Sequence, residues 1–446
     1  MGAGVPTGMD VSSLLEWALK RARELGADEA EVSVSLSSSR QVKSEGTHLK
    51  ALSRRSIDAW VRVSKGKKFA VTTVTSLDQK PLEAAVEAAV TLAAKAEEDP
   101  YWEGLPDPEP PLHSWVGYDE GVASAPTSWL LELAKELITE AQRRPSIRVS
   151  GTFVSASEAA YYVASTRGVS ASDKGTHFSY GIELKAVGTG EGVGFSSASS
   201  RGLHVDTYGV LERATTLALD SMRGEKLGTV VKGNVLLRAE PFASLVDALL
   251  VPALNALNVL EGFSPLRDKV GQKVLGPLTV VDDGTMVGGL ETSLFDAEGV
   301  ARRRKVLFDR GVLKGFLHNI YTARRMRCES TGNAARVRGA VMITRTNLIV
   351  EGGEESEEAL ISDSAVVVDG YLLSVHTVNY ITGNFSVVAS NPYLVKNGEL
   401  KPLKPVTVSG NIYEVAGGLR PARRVKNTYT GIYTPDVLFS GLTVSG

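Results

Sequence analysis

Apolar positions near the start of the chain repeat with helical spacing. Across 10–25, Val11, Leu14, Leu15, Ala18, Leu19, Ala22 and Leu25 share one face, which predicts an amphipathic helix. Ser13 with Glu16 is a candidate capping box, and Gly26 is a natural stop. The period then changes to two. Val32, Val34 and Leu36 alternate with polar residues, and 57–63 and 69–74 carry further strand signals. An Ala-rich helix over 82–98 follows. The order helix, strands, helix predicts an α+β layer with an antiparallel sheet.

The pattern breaks at 99–126, where six prolines remove donors and block helix, so an extended connector or excursion from the first domain is expected. Residues 127–143 read as a helix capped by Thr127 or Ser128, 147–200 as meandering strands and 205–222 as another helix. The glycines at 188, 190, 192 and 194 read as a flexible strand edge or hairpin. A second block begins near Gly228. It starts with a strand over 229–238, with Gly233-Asn234 as a possible turn, then a helix with Pro241 at its first position running to about Leu260. Short strands with glycine turns fill the rest, to Leu442. The fold class expected is α+β, with an N-terminal helix and antiparallel-sheet domain over 1–225 and a strand-rich domain over 226–446.

Composition narrows the function classes. The 446 residues are 43% hydrophobic and 22% charged, which is globular. A net charge of −2 excludes a protein built mainly to coat nucleic acid or an anionic membrane. The one cysteine, Cys328, excludes an internal disulfide and fits a reducing compartment. Residues 1–9 lack the charged and apolar segments of a signal peptide. The apolar stretch 245–260 is interrupted by Asp247, Pro252, Asn255 and Asn258 and is too short to span a bilayer. A cytoplasmic protein with no membrane or nucleic-acid partner is expected.

Charge is uneven in the second block. Residues 301–345 hold twelve Lys/Arg against Asp309 and Glu329, while 351–369 hold seven acids and no Lys/Arg. Either the two solvated faces neutralise each other, or the arginines form a basic cavity or partner surface.

Familiar chemistry is absent. The histidines at 48, 113, 177, 204, 318 and 376 include no pair at zinc-helix spacing. The glycine-rich stretch has neither GxGxxG nor Gly-Lys-Ser/Thr, and no GxSxG elbow occurs. Three segments look specialised: the strand and acidic turn Val280-Val281-Asp282-Asp283-Gly284, the turn Ser330-Thr331-Gly332-Asn333-Ala334, and His376 with Asn379 beside Thr382-Gly383-Asn384. His376 reads either as a structural histidine or as a substrate contact.

Together with Ser264-Pro265-Leu266-Arg267-Asp268, Phe295-Asp296-Ala297-Glu298-Gly299-Val300 and Val408-Ser409-Gly410-Asn411, these segments resemble the TldD/PmbA family, in its PmbA (TldE) branch. The resemblance covers almost the whole chain and is densest from Ser264 onward. It implies a two-part metallopeptidase, also described as a modulator of DNA gyrase. A TldD-type subunit carries a zinc helix, HExxxH, and a later cysteine ligand; a PmbA-type subunit pairs with it.

By order along the chain the zinc helix corresponds to the helix after Arg238, which has no histidine here, and Cys328 lies far upstream of the family's cysteine. The resemblance therefore implies no metal and no catalytic residue in this chain, with zinc in a TldD-type partner. It implies a dimer, a homodimer being possible in isolation, acting on unfolded or small polypeptides. Asn333, His376, Asn379 and Asn384 are the candidates for lining the substrate chamber. Two alternatives stay open: a peptide-binding or regulatory module without turnover, and a self-sufficient peptidase with a cryptic site.

Overall fold

The computed structural model describes residues 11–188, 190–337 and 339–446. The expectation for 1–9, the start of the first helix at Asp10 and the Arg338 charge lie outside them.

The first half is a sheet of long antiparallel strands with helices on one face. Its elements are α1 (Val11–Glu24), β1 (Glu29–Glu45), β2 (His48–Lys65), β3 (Lys68–Val74), α2 (Gln79–Lys95), α3 (Glu120–Ser124), α4 (Thr127–Gln142), β4 (Ile147–Ser165), β5 (Ser170–Val187), β6 (Glu191–Ser200) and α5 (Thr207–Arg223). The sheet order is β3-β2-β1-β4-β5-β6. Even-numbered residues of β1, β4 and β5, among them Val34, Val154, Phe178 and Tyr180, point to the helices and form two cores. Odd-numbered residues of β5, and of β4 from Gly151 onward, point the other way, because successive side chains alternate across a strand; the register shift before Gly151 turns Ile147 and Val149 toward the helices.

Several local expectations need correction. Ser13 lies inside α1, which begins by Val11, so Ser13 and Glu16 do not cap it. Pro126 precedes α4 and supplies no side-chain cap, so neither Thr127 nor Ser128 takes that role. The strands are longer than their apolar cores predict: β1 has 17 residues and β2 has 18. The polar outer halves pair with each other, Ser37 opposite Ser56 with their hydroxyls 2.7 Å apart.

The glycines after β5 form a hairpin turn, and those on β6 have a packing reason. A Cβ on Gly192 would stand 2.1 Å from the Met222 nitrogen, and one on Gly194 2.1 Å from the Ala214 carbonyl, so α5 lies directly on the strand. Gly194→Val should push α5 off the sheet and cost about 1–3 kcal/mol, read as a lower urea midpoint. An unchanged midpoint would contradict this close approach.

The second half contains β7 (Val231–Leu237), α6 (Ala239–Leu254), α7 (Ala256–Leu260), β8 (Val280–Asp283), β9 (Arg304–Asp309), β10 (Val312–Leu313), α8 (Ile320–Arg325), β11 (Ala334–Val337), β12 (Ala340–Ile343), β13 (Asn347–Val350), α9 (Glu357–Ser362), β14 (Val366–Leu373), β15 (Asn384–Lys396), β16 (Glu399–Pro402), β17 (Val406–Asn411), β18 (Arg420–Pro421), β19 (Lys426–Asn427), β20 (Ile432–Thr434) and β21 (Val437–Ser445). Strands β14, β7, β21, β17 and β15 pair in turn, and β15 returns to β14, closing the sheet on itself. Val235, Val368, Val387, Val408 and Phe439 belong to the core it shares with α6. Gly233 and Asn234 lie within β7 rather than in a turn. Pro241 is the third residue of α6, not the first, and the helix breaks at Asn255 instead of running to Leu260.

The proline-rich excursion forms a strap against the second half. It includes α3 and buries Trp102 and Leu105. Glu109 accepts from the Ala301 N–H at 2.6 Å and pairs with Arg303 at 2.9 Å, and Arg324 donates to the carbonyls of Glu103 and Leu105 at 2.7 and 3.0 Å. The basic segment is thus largely used internally. Lys305 pairs with Asp282, Arg336 with Glu31 and Arg345 with Asp247. Mutual neutralisation with 351–369 reduces, among the described residues, to Arg304 with Glu351 at 3.8 Å. The other acids there turn elsewhere, as Glu355 does to Arg420 and Asp369 to Arg213.

Candidate functional site

Helix α6 stands where the resemblance puts a zinc helix. Its less buried face carries Glu240, Ser244 and Asp247. Glu240 accepts the Tyr429 N–H at 3.0 Å, Asp247 accepts Arg345 Nε at 2.6 Å, and Arg345 reaches on to the Thr430 carbonyl at 3.0 Å. The 429–430 segment is thereby laid over the helix. Burial pushes the Glu240 carboxyl up. No imidazole or thiolate stands on this face and both carboxylates have partners, so these residues do not fit a zinc ion. Among the described residues no group of three or more His, Cys, Asp or Glu is placed to hold a metal.

The four lining candidates do not come together. Asn333 is fully buried. Its amide donates to Asp282 Oδ2 at 3.1 Å and the Thr344 carbonyl at 2.8 Å, while its Oδ1 has no partner. Asp282 is itself buried and also accepts Lys305 Nζ at 2.6 Å and Thr346 Oγ1 at 2.8 Å. The acidic turn and the Gly/Asn turn are therefore two sides of one buried charge cluster. His376 and Asn379 lie instead in an exposed turn between β14 and β15, and Asn384 is the exposed first residue of β15. Asn379 Oδ1 accepts the N–H groups of Ile381 and Thr382 at 3.0 and 3.1 Å, and Asn384 Oδ1 accepts from Asn411 at 2.9 Å.

His318 is buried beside Cys328, with Nε2 3.6 Å from Sγ and Nδ1 3.2 Å from Thr322 Oγ1. Burial lowers His318 to about 4 and raises the Cys328 thiol, to which Glu329 adds. At neutral pH the pair is imidazole and thiol, not the ion pair that makes a cysteine reactive.

A cavity of about 360 Å³ lies at the seam between the halves. Its floor is the helix-free face of the first sheet. There Ser157, Ala159 and Tyr161 on β4 stand opposite His177, Gly175 and Asp173 on β5. Its roof is the 292–302 segment with Arg336, and Trp60 and Phe295 supply apolar wall. Beside it Arg62 pairs with Glu31 at 2.7 Å and with Glu298 at 3.0 Å, and Arg336 pairs with Glu31, so four buried charges bridge the halves. Asp296 accepts the N–H groups of Glu298, Val300 and Ala334 at 2.8, 3.0 and 3.0 Å. Burial, helped by Glu298, raises it to about 6. The sequence held one signal for this site, the Phe295–Val300 motif; Arg302 and Arg336 were visible only as bulk charge, and Arg201 carried no signal.

Residues 231–446 match the family model described as the PmbA/TldA metallopeptidase C-terminal domain, and 120–222 match the central domain of the same family. The crystal structure of TldE from Thermococcus kodakarensis superposes with a TM-score of 0.90 at 24% identity, covering 97% of this chain and 100% of that one, which shows a shared fold. An uncharacterized protein of Methanocaldococcus jannaschii is 34% identical over 280 residues, 62% of this chain and 64% of that protein. Metalloprotease PmbA of Escherichia coli is 26% identical over 230 residues, 51% of this chain and 49% of that protein. The chain thus spans less than two thirds of these curated relatives' length. No helix among the described residues is long and apolar enough to cross a membrane. The two domain matches, in order along most of the chain, make it a member of the PmbA/TldD metallopeptidase family.

Proposed function

We propose that this chain is the PmbA/TldE-type subunit of a cytoplasmic two-subunit peptidase, and that it has no turnover alone. A homologous TldD-type partner supplies the zinc; this chain walls the chamber and holds unfolded or small polypeptides. The observation that carries the reading is α6, whose candidate metal face bears Glu240 and Asp247 already engaged by Tyr429 and Arg345. Edge strands β3 and β16 each have one hydrogen-bonded neighbour strand among the described residues, and an extended polypeptide can add to such an edge through main-chain bonds. Of the lining candidates, His376, Asn379 and Asn384 are exposed and would contact substrate, whereas Asn333 is buried against Asp282 and would not.

The test is zinc content and hydrolysis of an unfolded polypeptide by the purified chain, by a TldD-type subunit and by their mixture. Turnover and stoichiometric zinc are expected only where the partner is present. Either one in the single chain overturns the proposal.

A further inference from the structure

The seam cavity faces two arginines without an ion-pair partner and a third, Arg336, with unused donors. Arg201 donates only to main-chain carbonyls, those of Gly289, Thr176 and Thr292, at 3.2, 3.1 and 2.9 Å. Arg302 donates to Ser293 Oγ at 3.0 Å and to the Gly332 carbonyl. Among the described residues neither forms an ion pair. The third, Arg336, gives one N–H to Glu31, but its side chain is only 2% exposed and its Nε and Nη1 find no acceptor. Buried donors without acceptors cost about 1–3 kcal/mol each, and more for charged groups.

The acids nearby are Asp173, Asp296 and Glu158 in the lining and Glu291 beside Arg201, and among the described residues none of them hydrogen-bonds or ion-pairs with Arg201 or Arg302. Asp173 accepts the N–H groups of Lys174 and Leu294 at 2.8 and 2.6 Å, and Asp296 accepts three more. Each accepts main-chain N–H groups and feels a nearby arginine only through space, Arg201 at Asp173 and Arg302 at Asp296. Burial raises both carboxyls. A guanidinium matches a carboxylate in a two-bond fork. A dianion would be opposed by Asp173 and Asp296, whereas a single carboxylate adds one charge. Trp60 and Phe295 leave room for an apolar body, and 360 Å³ falls in the lower part of the roughly 300–1,000 Å³ range of small-ligand pockets.

We propose that the seam cavity binds an organic carboxylate with a short apolar body, its carboxylate held by Arg302 and Arg201 and its body set against Trp60 and Phe295. The same chemistry is presented by a free N-blocked amino acid and by the C-terminal residue of a peptide. The proposal concerns this chain alone and does not rest on the partner-subunit reading.

The test is calorimetric titration of the full chain with N-acetyl-leucine, N-acetyl-leucinamide, and N-acetyl-Gly-Gly-Leu with a free C-terminus. The acids should bind at least about tenfold more tightly than the amide, as expected for charge-assisted hydrogen bonds of about 1.5–3 kcal/mol. Arg302→Gln should remove most of that preference, while Arg304→Gln, at an exposed site outside the cavity, should keep it. Ala159→Leu, which fills the cavity without altering charge, should weaken both acids, so the test survives if Arg302→Gln folds poorly. A peptide that binds much more tightly than N-acetyl-leucine identifies a chain end as the ligand; equal affinity identifies the free acid. Equal binding of acid and amide, or no binding of either acid at millimolar concentration, overturns the proposal.

Discussion

Replacing Arg62 by alanine should lower the unfolding free energy by about 3–5 kcal/mol, because it removes one partner from a buried charge network. Arg62 comes from β2 and bridges Glu31 on β1 to Glu298 in the second half, and the Trp102 ring of the strap lies 5.5 Å from its guanidinium. Without it, Glu298 keeps the Ile320 N–H at 2.9 Å, but its charge is left uncompensated at 0% exposure. The loss falls at the seam, so the halves should loosen before either core melts. The measurements are the urea midpoint and the rate of proteolysis within 99–119. Lys135→Ala, which breaks an exposed pair with Glu132, is the comparison, since such pairs contribute little. Equal midpoints for the two variants would show that the network does not hold the halves together.

The second large effect is hidden in the native chain and appears only in variants. Asp296 is raised from 3.8 to about 6, so the folded state binds this proton more tightly than the unfolded state. Its contribution to stability is complete below about pH 4 and is lost as pH rises through 6. At about 1.4 kcal/mol per pKa unit this amounts to about 3 kcal/mol. His318 works in the opposite sense. Burial lowers it from 6.5 to about 4, so its contribution is complete above about pH 6.5 and is lost as pH falls to 4, again by about 3 kcal/mol. Over this window the two nearly cancel. Asp296→Asn should therefore make the chain less stable on acidification from pH 6.5 to 4, and His318→Gln should make it more stable. Melting temperatures across this range for the native chain and both variants check the point. Three parallel profiles would refute it.

The local elements were readable where one face is apolar. α1 follows from its spacing, α5 overlaps the 205–222 segment that reads as helical, and β8 is a strand where 280–284 reads as one, although Asp282 and Asp283 belong to the strand and not to the turn after it. The outer halves of β1 and β2 were not readable, because Ser37–Ser39 and their partners Ser56, Arg55 and Arg54 carry no apolar alternation; each is a strand only because the other is there. Asn333 stood out as part of a Gly/Asn turn, but its buried environment was hidden, since Asp282 lies 51 positions away.

The sequence by itself determined the family, the α+β class and the absence of histidine from α6, because these depend on residue identity and on periodicities a few residues long. Only the tertiary structure decided where the arginines of 301–345 point, that the proline-rich segment ties the halves together, and that a cavity with unmatched guanidinium groups lies at their seam. The physical reason is that a charge is read by its partner, and here the partners are distant: Arg62 and Glu298 are 236 positions apart, and Ala301 and Glu109 are 192 apart. No local pattern encodes such a pairing, because the low dielectric that makes it strong exists only once both halves have folded around it.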